Sequence, residues 1–453
     1  MQLHLFGTDG CRGVANAELS PELAFRLGRA GGYFLSKQWD GHEARPRVVV
    51  GRDTRLSGDM LEAALVAGVT SVGVDVVRAG VLPTPALAFV ARALGAAGAA
   101  MVSASHNPVE DNGIKFFSAG GYKLAVEEEA QIESLVLAGE DRLPRPTGGG
   151  VGRAYDRPDA LDLYVKHVTG LVDSLAGYRL VADVAHGAAY HVAPLVLRRL
   201  GAHVTVMNGE PDGHRINVRC GSTHPEALQE AVLREKADVG LAFDGDADRL
   251  IAVSSSGRVV DGDVVMGICA LDALARGELP GRAIAATVMS NYGLDQALER
   301  LGGAVVRTAV GDRNVLHAML ERHLAIGGEQ SGHVIFLDAN TTGDGIITAL
   351  KLLGVMRRTG RSLDELAGQV PRWPQVQQSV RVARKAGWDE NPRIRSAMEE
   401  VRQRLGEMGR VLVRPSGTEP VIRVMIEGSL PQAELHDMVR ALAGVIESEL
   451  NQA

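Results

Sequence analysis

One pattern of apolar and polar positions occurs three times along the chain and predicts three related α/β units. Each copy has a short apolar run, a turn with Gly or Ser, an amphipathic helical stretch and a second apolar run. The copies span residues 45–77, 177–207 and 281–310. This order of elements is typical of a parallel βαβ unit with a right-handed crossover.

A further apolar run follows each copy and leads into a polar loop. The three segments read GAAMVSASHNP, ADVGLAFDGDADR and LAIGGEQSGH. Ligands of open α/β sheets bind beyond the carboxyl ends of the strands, so we expect the three loops to meet at one central cleft. The alternative is three α/β units that share only generic patterning.

Loop-forming segments divide the chain further. A Pro- and Gly-rich linker at residues 143–153 follows the first unit, and PRWPQVQQ, which begins at Pro371, marks the entry to a unit with a different pattern. That last unit reads as a helix to about residue 406, two strands joined by SGTEP, and a final helix. The predicted fold class is α/β, with three related α/β domains that have mixed sheets plus a C-terminal α+β domain. The predicted domains are residues 1–150, 151–254, 255–370 and 371–453.

The composition is that of an ordinary globular protein and excludes several classes. Of the 453 residues, 45% are hydrophobic and 23% are charged, and the net charge is −7. No basic block favours nucleic acid, and no apolar run reaches the roughly 18 residues of a membrane span. The three cysteines form no CxxC pair, and the first residues do not resemble a signal peptide. We therefore expect a cytoplasmic protein.

The loop DGDADR predicts a magnesium site. Every second residue of this loop is an aspartate: Asp244, Asp246 and Asp248. An extended or gently turning loop therefore directs the three carboxylates to one side. Converging carboxylates repel one another and require a hard divalent cation, and oxygen ligands favour Mg²⁺ over zinc. An EF-hand is excluded because Arg249 and Ser255 stand where its loop needs Gly and Glu. A solvated acidic turn is the remaining alternative.

The loop SASHNP contains a serine and a histidine side by side. On an extended chain Ser105 and His106 point to opposite faces, so they are poorly placed as a nucleophile and its base. A phosphate on Ser105 could instead be the last ligand of the Mg²⁺ and be donated from there. Lys115, in NGIKF, then supplies positive charge or shuttles a proton; alone it would be only a surface lysine.

The loop GEQSGH predicts sugar contacts. Every second residue of an extended stretch lies on the same side, which here groups Glu329, Ser331 and His333. A carboxylate with a hydroxyl suits the vicinal hydroxyls of a sugar. His333 is either a general acid or base, or a structural histidine.

Two Gly-containing loops predict phosphate contacts. RPSGTEP combines a guanidinium, two hydroxyls and exposed backbone N–H groups, and Arg423 adds a second cation. Its candidate ligands are Arg414, Ser416, Gly417 and Thr418. In FGTDGCRG, Arg12 can meet a phosphate. A plain hairpin turn explains RPSGTEP equally well, because Pro and Gly favour turns.

These loops together resemble the α-D-phosphohexomutase superfamily along nearly the whole chain. The motifs that carry the resemblance, in the order of the family, are FGTDGCRG, SASHNP, NGIKF, DGDADR, VGDR at 310–313, GEQSGH and RPSGTEP. The resemblance implies three related α/β domains and a fourth, phosphate-binding domain around one cleft. It also implies an enzyme that interconverts hexose 6- and 1-phosphates through a phosphoserine and a 1,6-bisphosphate.

The resemblance assigns a role to each loop. Ser105 is implied to be the phosphorylated serine, and Glu329 and Ser331 are implied to contact sugar hydroxyls. The implied Mg²⁺ ligands are Ser105, Asp244, Asp246 and Asp248. The residues implied to hold the phosphate that is not reacting are Arg414, Ser416, Gly417 and Thr418. The residues implied to line the reacting side are Arg12, Lys115, Arg249 and His333.

Within the superfamily, GEQSGH and Gly417 resemble the branch that acts on glucosamine phosphates, whereas the mannose and glucose branch more often has Asn in place of Gly417. The implied reaction interconverts glucosamine 6-phosphate and glucosamine 1-phosphate and feeds UDP-N-acetylglucosamine and cell-wall precursor synthesis. Glucosamine 1,6-bisphosphate or glucose 1,6-bisphosphate would be the intermediate and activator. Cys11 departs from the aliphatic residue usual in the family, and a thiol beside Arg12 is expected to be sensitive to oxidation.

Several alternatives stay open. One is a phosphomannomutase or phosphoglucomutase of the same superfamily. Another is a Mg²⁺-dependent sugar phosphatase with Asp244 as its nucleophile, which would leave Ser105 and RPSGTEP without a role. A third is a non-catalytic sugar-phosphate sensor. The expected partner is a small phosphosugar rather than nucleic acid or a membrane, and a homodimer is a further open possibility.

Overall fold

The structure is a computed structural model that describes residues 3–7, 9–41, 45–406, 409–416 and 420–451. The chain forms two compact units. The first comprises Met1–Ser290 and Leu298–Gln369, and the second comprises Asn291–Ala297 and Val370–Ala453. Each unit has a buried apolar core of its own.

Strands and helices alternate through most of the described chain. The strands are β1 (Phe6–Gly7), β2 (Gly10–Val14), β3 (Arg47–Arg52), β4 (Asp75–Val81), β5 (Gly98–Val102), β6 (Asp111–Ser118), β7 (Ala154–Asp156), β8 (Arg179–Asp183), β9 (His203–Met207), β10 (Val239–Phe243), β11 (Leu250–Ser254), β12 (Val259–Val260), β13 (Ala283–Thr287), β14 (Ala304–Thr308), β15 (Ile326–Gly328), β16 (Val334–Phe336), β17 (Gln375–Arg381), β18 (Gly409–Pro415) and β19 (Val421–Gly428). The helices are α1 (Pro21–Gln38), α2 (Ser57–Ser71), α3 (Thr84–Ala93), α4 (Val126–Leu137), α5 (Ala160–Thr169), α6 (Ala189–Arg199), α7 (Glu226–Glu235), α8 (Gly262–Ala275), α9 (Tyr292–Glu299), α10 (Asp312–Arg322), α11 (Gly345–Thr359), α12 (Leu363–Ala367), α13 (Pro392–Leu405) and α14 (Gln432–Leu450). Among the described helices, none combines the length and the apolarity needed to cross a membrane.

The described part of the first unit contains three mixed sheets that share one topology. Their strand orders are β1-β2-β6-β5-β3-β4-β7, β12-β11-β10-β8-β9 and β14-β13-β15-β16. In each sheet the two strands of the βαβ unit are parallel, and the first of them also pairs in parallel with the strand that follows the unit. These following strands are β5, β10 and β15, and each pairs antiparallel with the next strand along the chain. The three sequence repeats therefore form the predicted βαβ units, β3-α2-β4, β8-α6-β9 and β13-α9-β14, and the predicted mixed α/β fold is confirmed.

Local sequence explains where these elements lie. The central strands β5, β10 and β13 are buried along their whole length, as expected of strands in parallel sheets covered on both faces. Helix starts are capped: Ser20 accepts the N–H of Leu23 at the start of α1, and Asp261 accepts the N–H of Val264 at the start of α8. Buried strands and capped helices fix the points at which the polar loops begin.

The three polar loops occupy equivalent places in their sheets. Residues 103–110 join β5 to β6, residues 244–249 join β10 to β11, and residues 329–333 join β15 to β16. Each loop thus follows the carboxyl end of the third strand of its repeat, which is the edge where ligands of α/β sheets bind. The shared topology therefore gives the serine, aspartate and GEQSGH loops corresponding positions.

The second unit has a sheet of order β17-β19-β18 that packs against α13 and α14. The sequence predicted β18, β19 and both helices, but it did not predict β17. Only Val376 and Val380 are buried in β17, so the apolar signal of this edge strand is weak. The four domain boundaries remain a prediction.

Candidate functional site

Ser105 has a strained backbone conformation just beyond β5. Its φ is 52°, in the left-handed region, and the residue is buried. Its Oγ donates a hydrogen bond to Oδ2 of Asp244 at 2.6 Å, and its backbone N–H donates to Oγ of Ser103 at 2.9 Å. A left-handed residue with a Cβ costs about 1–2 kcal/mol, and such strain is concentrated at functional sites.

His106 lies closer to Ser105 than the sequence argument expected. The left-handed turn brings Nδ1 of His106 to 3.4 Å from Oγ of Ser105, whereas an extended chain would have separated the two side chains. The expectation of opposite faces is therefore wrong, although this contact is longer than an ordinary hydrogen bond. Burial, followed by the charge of Arg249, lowers the pKa of His106 to about 4. The imidazole is thus neutral near pH 7, and the shortest side-chain contact of the serine is to Asp244.

Asp244, Asp246 and Asp248 converge in the loop between β10 and β11. All three are buried, and one oxygen of each lies within 4.8 Å of the others. Gly245 allows close approach to the serine loop, since a Cβ there would lie 2.6 Å from the carbonyl oxygen of Ser105. Burial, and then the charges of Asp248 and Asp246, raise the pKa of Asp244 well above its usual value. Three ionised carboxylates at this place need a cation.

The aspartate triad can bind a metal ion. Oδ1 of Asp246 and Oδ1 of Asp248 are buried and have no hydrogen-bond partner among the described residues. Both oxygens therefore have lone pairs to donate, and a set of oxygen donors suits a hard divalent cation such as Mg²⁺. The residues present fit such an ion, and the Ser105 side chain lies beside them as a candidate further ligand.

Two cations border the triad. Nζ of Lys115 is 2.9 Å from Oδ2 of Asp246, and Nε of Arg249 is 3.7 Å from Oδ1 of Asp248. Burial lowers the pKa of Lys115, but the charges of Asp246 and Asp9 outweigh burial and raise it overall. Lys115 is thus a buried, fixed positive charge and not a surface lysine.

His333 lies in a turn and not on an extended stretch. The N–H of Glu329 donates to the carbonyl of His333 at 3.0 Å, which closes the turn between β15 and β16. The prediction that GEQSGH is extended, with every second side chain on one side, is therefore wrong. Nδ1 of His333 is 3.4 Å from Asp248, and Nε2 is 3.8 Å from Asp312. Burial lowers the pKa of His333, but these carboxylates, Asp248 first, raise it overall.

Three charged residues beside the triad were not singled out from the sequence. Nζ of Lys123 is 2.5 Å from Oδ1 of Asp9 and also pairs with Asp312. Asp9 pairs in turn with Lys115, at 3.0 Å, and with Arg12. Asp9 and Asp312 lie inside FGTDGCRG and VGDR, so a search for carboxylates within the motifs would have found them. Lys123 gives no local signal.

Some of the buried polar atoms that lack a hydrogen-bond partner, among the residues that the structure describes, belong to the motif loops near the triad. Besides the two aspartate oxygens, they include Arg12 Nε, Arg249 Nε, Ser331 Oγ and His333 Nε2. Glu329 accepts the N–H of Gly311 at 3.1 Å through Oε1. Since most buried polar groups in folded proteins have partners, this group of atoms points to a ligand. Its N–H and O–H donors suit phosphate and sugar oxygens.

The predicted phosphate nest belongs to the second unit. Arg414 and Arg423 stand directly opposite each other on β18 and β19. Two guanidiniums at neighbouring positions supply several N–H donors on one face of the sheet, which suits a bound phosphate. Ser416 is buried at the end of β18. Gly417 and Thr418 lie outside the described residues.

Four family models match consecutive parts of the chain. They are described as phosphoglucomutase/phosphomannomutase alpha/beta/alpha domains I, II and III and C-terminal domain. The matched residues are 3–142, 162–257, 261–373 and 379–445, respectively. These matches together cover well over half of the chain.

Curated relatives match nearly end to end. A phosphoglucosamine mutase of Moorella thermoacetica is 56% identical over 442 residues, which cover 97% of this chain and 98% of the relative. A phosphoglucosamine mutase of Symbiobacterium thermophilum is 53% identical over 447 residues, with 98% and 99% covered.

Solved structures share the fold. A phosphoglucomutase/phosphomannomutase family protein from Burkholderia thailandensis has a TM-score of 0.83 and 26% identity, with 99% of each chain covered. An N-acetylphosphoglucosamine mutase of Aspergillus fumigatus, solved with GlcNAc-6P and magnesium, has a TM-score of 0.71 and 18% identity, with 99% of this chain and 96% of that chain covered. At 18% identity, the likeness to the Aspergillus fumigatus enzyme concerns the fold alone.

Proposed function

The chain belongs to the phosphoglucomutase/phosphomannomutase family, and on that premise we propose that it interconverts glucosamine 6-phosphate and glucosamine 1-phosphate. It is an isomerase of the intramolecular phosphotransferase type. The observation that carries the proposal is the hydroxyl of Ser105, 2.6 Å from Asp244, in a loop bordered by a carboxylate triad that could hold a metal ion. A hydroxyl so placed can hold a phosphoryl group between two transfers.

The reaction needs two phosphoryl transfers. In the first, the bond from phosphorus to Oγ of phospho-Ser105 breaks, a bond to O1 of the sugar forms, and the O1 proton passes to the serine oxygen. The 1,6-bisphosphate then turns end for end. In the second, the bond from phosphorus to O6 breaks, the bond to Oγ forms again, and the serine proton passes to O6. Atoms and charge balance over the cycle without a further reactant.

The residues around Ser105 have distinct tasks in these transfers. Asp244 accepts the hydrogen of the serine hydroxyl and so orients Oγ toward the phosphorus. Lys115 and Arg249 place positive charge beside the triad, where it stabilises the transferred phosphoryl group. Burial lowers the pKa of His333, but Asp248 and Asp312 raise it overall, and this imidazole donates a proton to the leaving oxygen and regains one from the attacking oxygen.

Mg²⁺ is the cofactor that the donor set favours. The residues that would hold it are Ser105, Asp244, Asp246 and Asp248. An Mg²⁺ ion held there would neutralise charge on the phosphoryl oxygens and polarise the phosphorus. The free oxygens of Asp246 and Asp248 support this assignment.

The remaining site residues bind the substrate in this proposal. Glu329 and Ser331 bind sugar hydroxyls, and Arg12 binds the reacting phosphate. The residues that hold the other phosphate are Arg414, Ser416, Gly417, Thr418 and Arg423. Glucosamine 1,6-bisphosphate or glucose 1,6-bisphosphate serves as the activator. The reaction takes place in the cytoplasm on small phosphosugars, and its product supplies amino-sugar nucleotide synthesis.

Replacement of Ser105 tests the proposed role directly. Ser105→Ala should abolish interconversion, measured with catalytic glucose 1,6-bisphosphate, because no group remains to carry the phosphoryl group. Ser134→Ala, an exposed serine in α4, is the matched control and should retain full activity. Mass spectrometry should find phosphate on the wild type and on the control but not on Ser105→Ala. Retained turnover in Ser105→Ala would contradict the proposal.

The phosphoenzyme also separates the mutase from a phosphatase. Phosphoserine resists acid and hydroxylamine, whereas an acyl phosphate on Asp244 would be cleaved by hydroxylamine. A cleavable phosphoenzyme would favour the phosphatase. The sugar is tested by kcat/KM on glucosamine, glucose and mannose phosphates measured side by side. A strong preference for mannose would overturn the assignment to glucosamine.

A further inference from the structure

Arg55 is a buried arginine whose donors are all used. It follows β3 in the segment GRDTR, and 1% of its surface is exposed. A guanidinium carries five N–H donors in a planar fork. Nε donates to Oδ2 of Asp53 at 3.1 Å, and the other four donors bind backbone carbonyls. These bonds hold the side chain in one orientation.

The four carbonyls belong to the segment that carries Ser105. Nη2 of Arg55 donates to the carbonyl of Ser105 at 3.0 Å and to the carbonyl of Asn107 at 2.7 Å. Nη1 donates to the carbonyl of Asp111 at 2.9 Å and to the carbonyl of Pro108. One guanidinium therefore binds three carbonyls of the loop and the first carbonyl of β6, so the loop cannot shift without breaking these bonds.

The carbonyl and the N–H of Ser105 are both hydrogen-bonded, the carbonyl by distant residues and the N–H by Ser103 of the same loop. Nδ2 of Asn217 also donates to the carbonyl of Ser105, at 2.8 Å. Asp53 accepts the hydroxyl of Ser103 at 2.6 Å, and that hydroxyl oxygen accepts the N–H of Ser105 at 2.9 Å. These contacts maintain a left-handed conformation that a residue with a Cβ does not adopt readily.

We infer that Arg55, assisted by Asn217, is a positioning residue for phosphoryl transfer. It holds Ser105 in the left-handed conformation that directs Oγ at Asp244. The inference rests on the proposed function of Ser105. Because the described partners of Arg55 are Asp53 and backbone carbonyls, Arg55 acts through the loop and not on the reacting atoms.

Lysine cannot replace Arg55 in this role. An ammonium group has three donors at one point, so it cannot reach the carboxylate and all four carbonyls. In Arg55→Lys the loop would lose most of its bonds, and Oγ of Ser105 would move relative to Asp244. A displacement of about 1 Å at a reacting group can lower the rate about 100-fold. Groups that bind the sugar are unchanged, so KM should change little.

The test compares Arg55→Lys with Arg29→Lys in the full-length enzyme. Arg29 is equally buried, and its guanidinium binds Asp141, Ser71 and the carbonyl of Leu143. The control therefore makes the same chemical change in a buried arginine whose described partners lie outside the serine loop. We expect kcat to fall about 100-fold in Arg55→Lys with KM within about threefold, and neither to change in Arg29→Lys.

A second readout does not depend on turnover. After phosphorylation by glucose 1,6-bisphosphate, the ³¹P resonance of phospho-Ser105 reports its surroundings, and we expect it to shift or broaden in Arg55→Lys but not in Arg29→Lys. A wild-type enzyme without mutase turnover would overturn the proposed function, and this inference with it. An active wild type with equal behaviour of both variants, in kcat and in the ³¹P spectrum, would overturn this inference alone.

Asn217→Gly decides the question if Arg55→Lys does not fold. Asn217 has a φ of 60°, which glycine adopts freely, so the substitution removes the amide without adding strain. Asn16→Gly, at an exposed residue with a φ of 64°, is the matched control. A fall in kcat of about tenfold in Asn217→Gly but not in Asn16→Gly supports the inference. Equal kcat in the two variants overturns it.

Discussion

Replacement of Lys123 by methionine should destabilise the first unit by removing one buried charge. Only 7% of the Lys123 side chain is exposed, and its Nζ is 2.5 Å from Asp9 and pairs with Asp312. Methionine keeps a long, flexible, apolar side chain, so the packing of the stem is largely preserved. The perturbation therefore removes the positive charge and leaves two carboxylates behind.

The size of the effect depends on which partners each carboxylate keeps. Asp9 keeps Lys115, at 3.0 Å, and Arg12, so its charge stays compensated. Among the described residues, the ion pair that Asp312 keeps is the one with His333, whose Nε2 is 3.8 Å from Oδ2 of Asp312. Loss of one partner from a buried pair costs about 3–5 kcal/mol. Because 16% of the Asp312 side chain is exposed, we expect the lower limit, about 3 kcal/mol near pH 7.

The loss of stability should depend on pH in a defined direction. In the wild type, burial raises the pKa of Asp312, but Lys123 and His333 outweigh burial and lower it. A lowered carboxyl pKa contributes stability that is present above the unfolded value of about 3.9 and is lost as pH falls through the folded value. In Lys123→Met burial prevails over the weaker remaining pair with His333, so Asp312 binds a proton at a higher pH and its buried charge disappears. The difference in stability between wild type and variant should therefore narrow as pH falls toward about 4.

Urea unfolding near pH 7.5 and near pH 4.5 measures both the size and the pH dependence of the effect. Lys351→Met is the matched control, because Lys351 pairs with Asp338 at 2.5 Å on the surface, where a pair contributes about 0–1 kcal/mol. Removal of the Asp312 carboxylate in Lys123→Met/Asp312→Asn should recover most of the loss. A loss no larger than that of the control, or one independent of pH, would refute the reasoning.

Two further predictions concern the triad and the thiols. Asp244→Asn keeps the side-chain size but removes one charge from the triad. Calorimetry should therefore find that the affinity for Mg²⁺ is at least about tenfold weaker. Unchanged affinity would exclude Asp244 as a ligand. Burial raises the pKa of every cysteine to about 12, so the native enzyme should not react with Ellman's reagent near pH 8, whereas the unfolded chain should react at all three thiols. Rapid reaction of Cys11 in the native enzyme would restore the sensitivity to oxidation that the sequence suggested.

Local patterning was sufficient to predict the fold class and the loops that carry the candidate site. The βαβ repeats are visible because strand and helix periodicities depend only on neighbours along the chain. Polar loops at the carboxyl ends of strands then identify the candidate groups, since ligands bind at that edge. Ser105, Asp244 and His333 were found in this way without knowledge of their contacts.

Conformation inside the loops could not be predicted by the same rules. Alternation assigns faces only to an extended chain, and Ser105 is left-handed while residues 329–333 form a turn. The proximity of His106 to Ser105 and the position of His333 were therefore missed. Strand β17 was missed for a related reason, because an edge strand with two buried valines carries little apolar signal.

The contacts of the charged groups were decided only by the tertiary structure. Lys123 pairs with Asp312 across 189 residues of sequence, and Arg55 binds the carbonyl of Ser105 across 50. No local spacing encodes such pairs, because the Arg55 contact forms only when β3 and β5 pair in one sheet and the Lys123 contact only when separate sheets pack together. Local sequence patterns were enough to place the chemical groups at the strand ends. Packing decided which of them touch, because an unpartnered buried charge is so costly that only arrangements with complementary partners are stable.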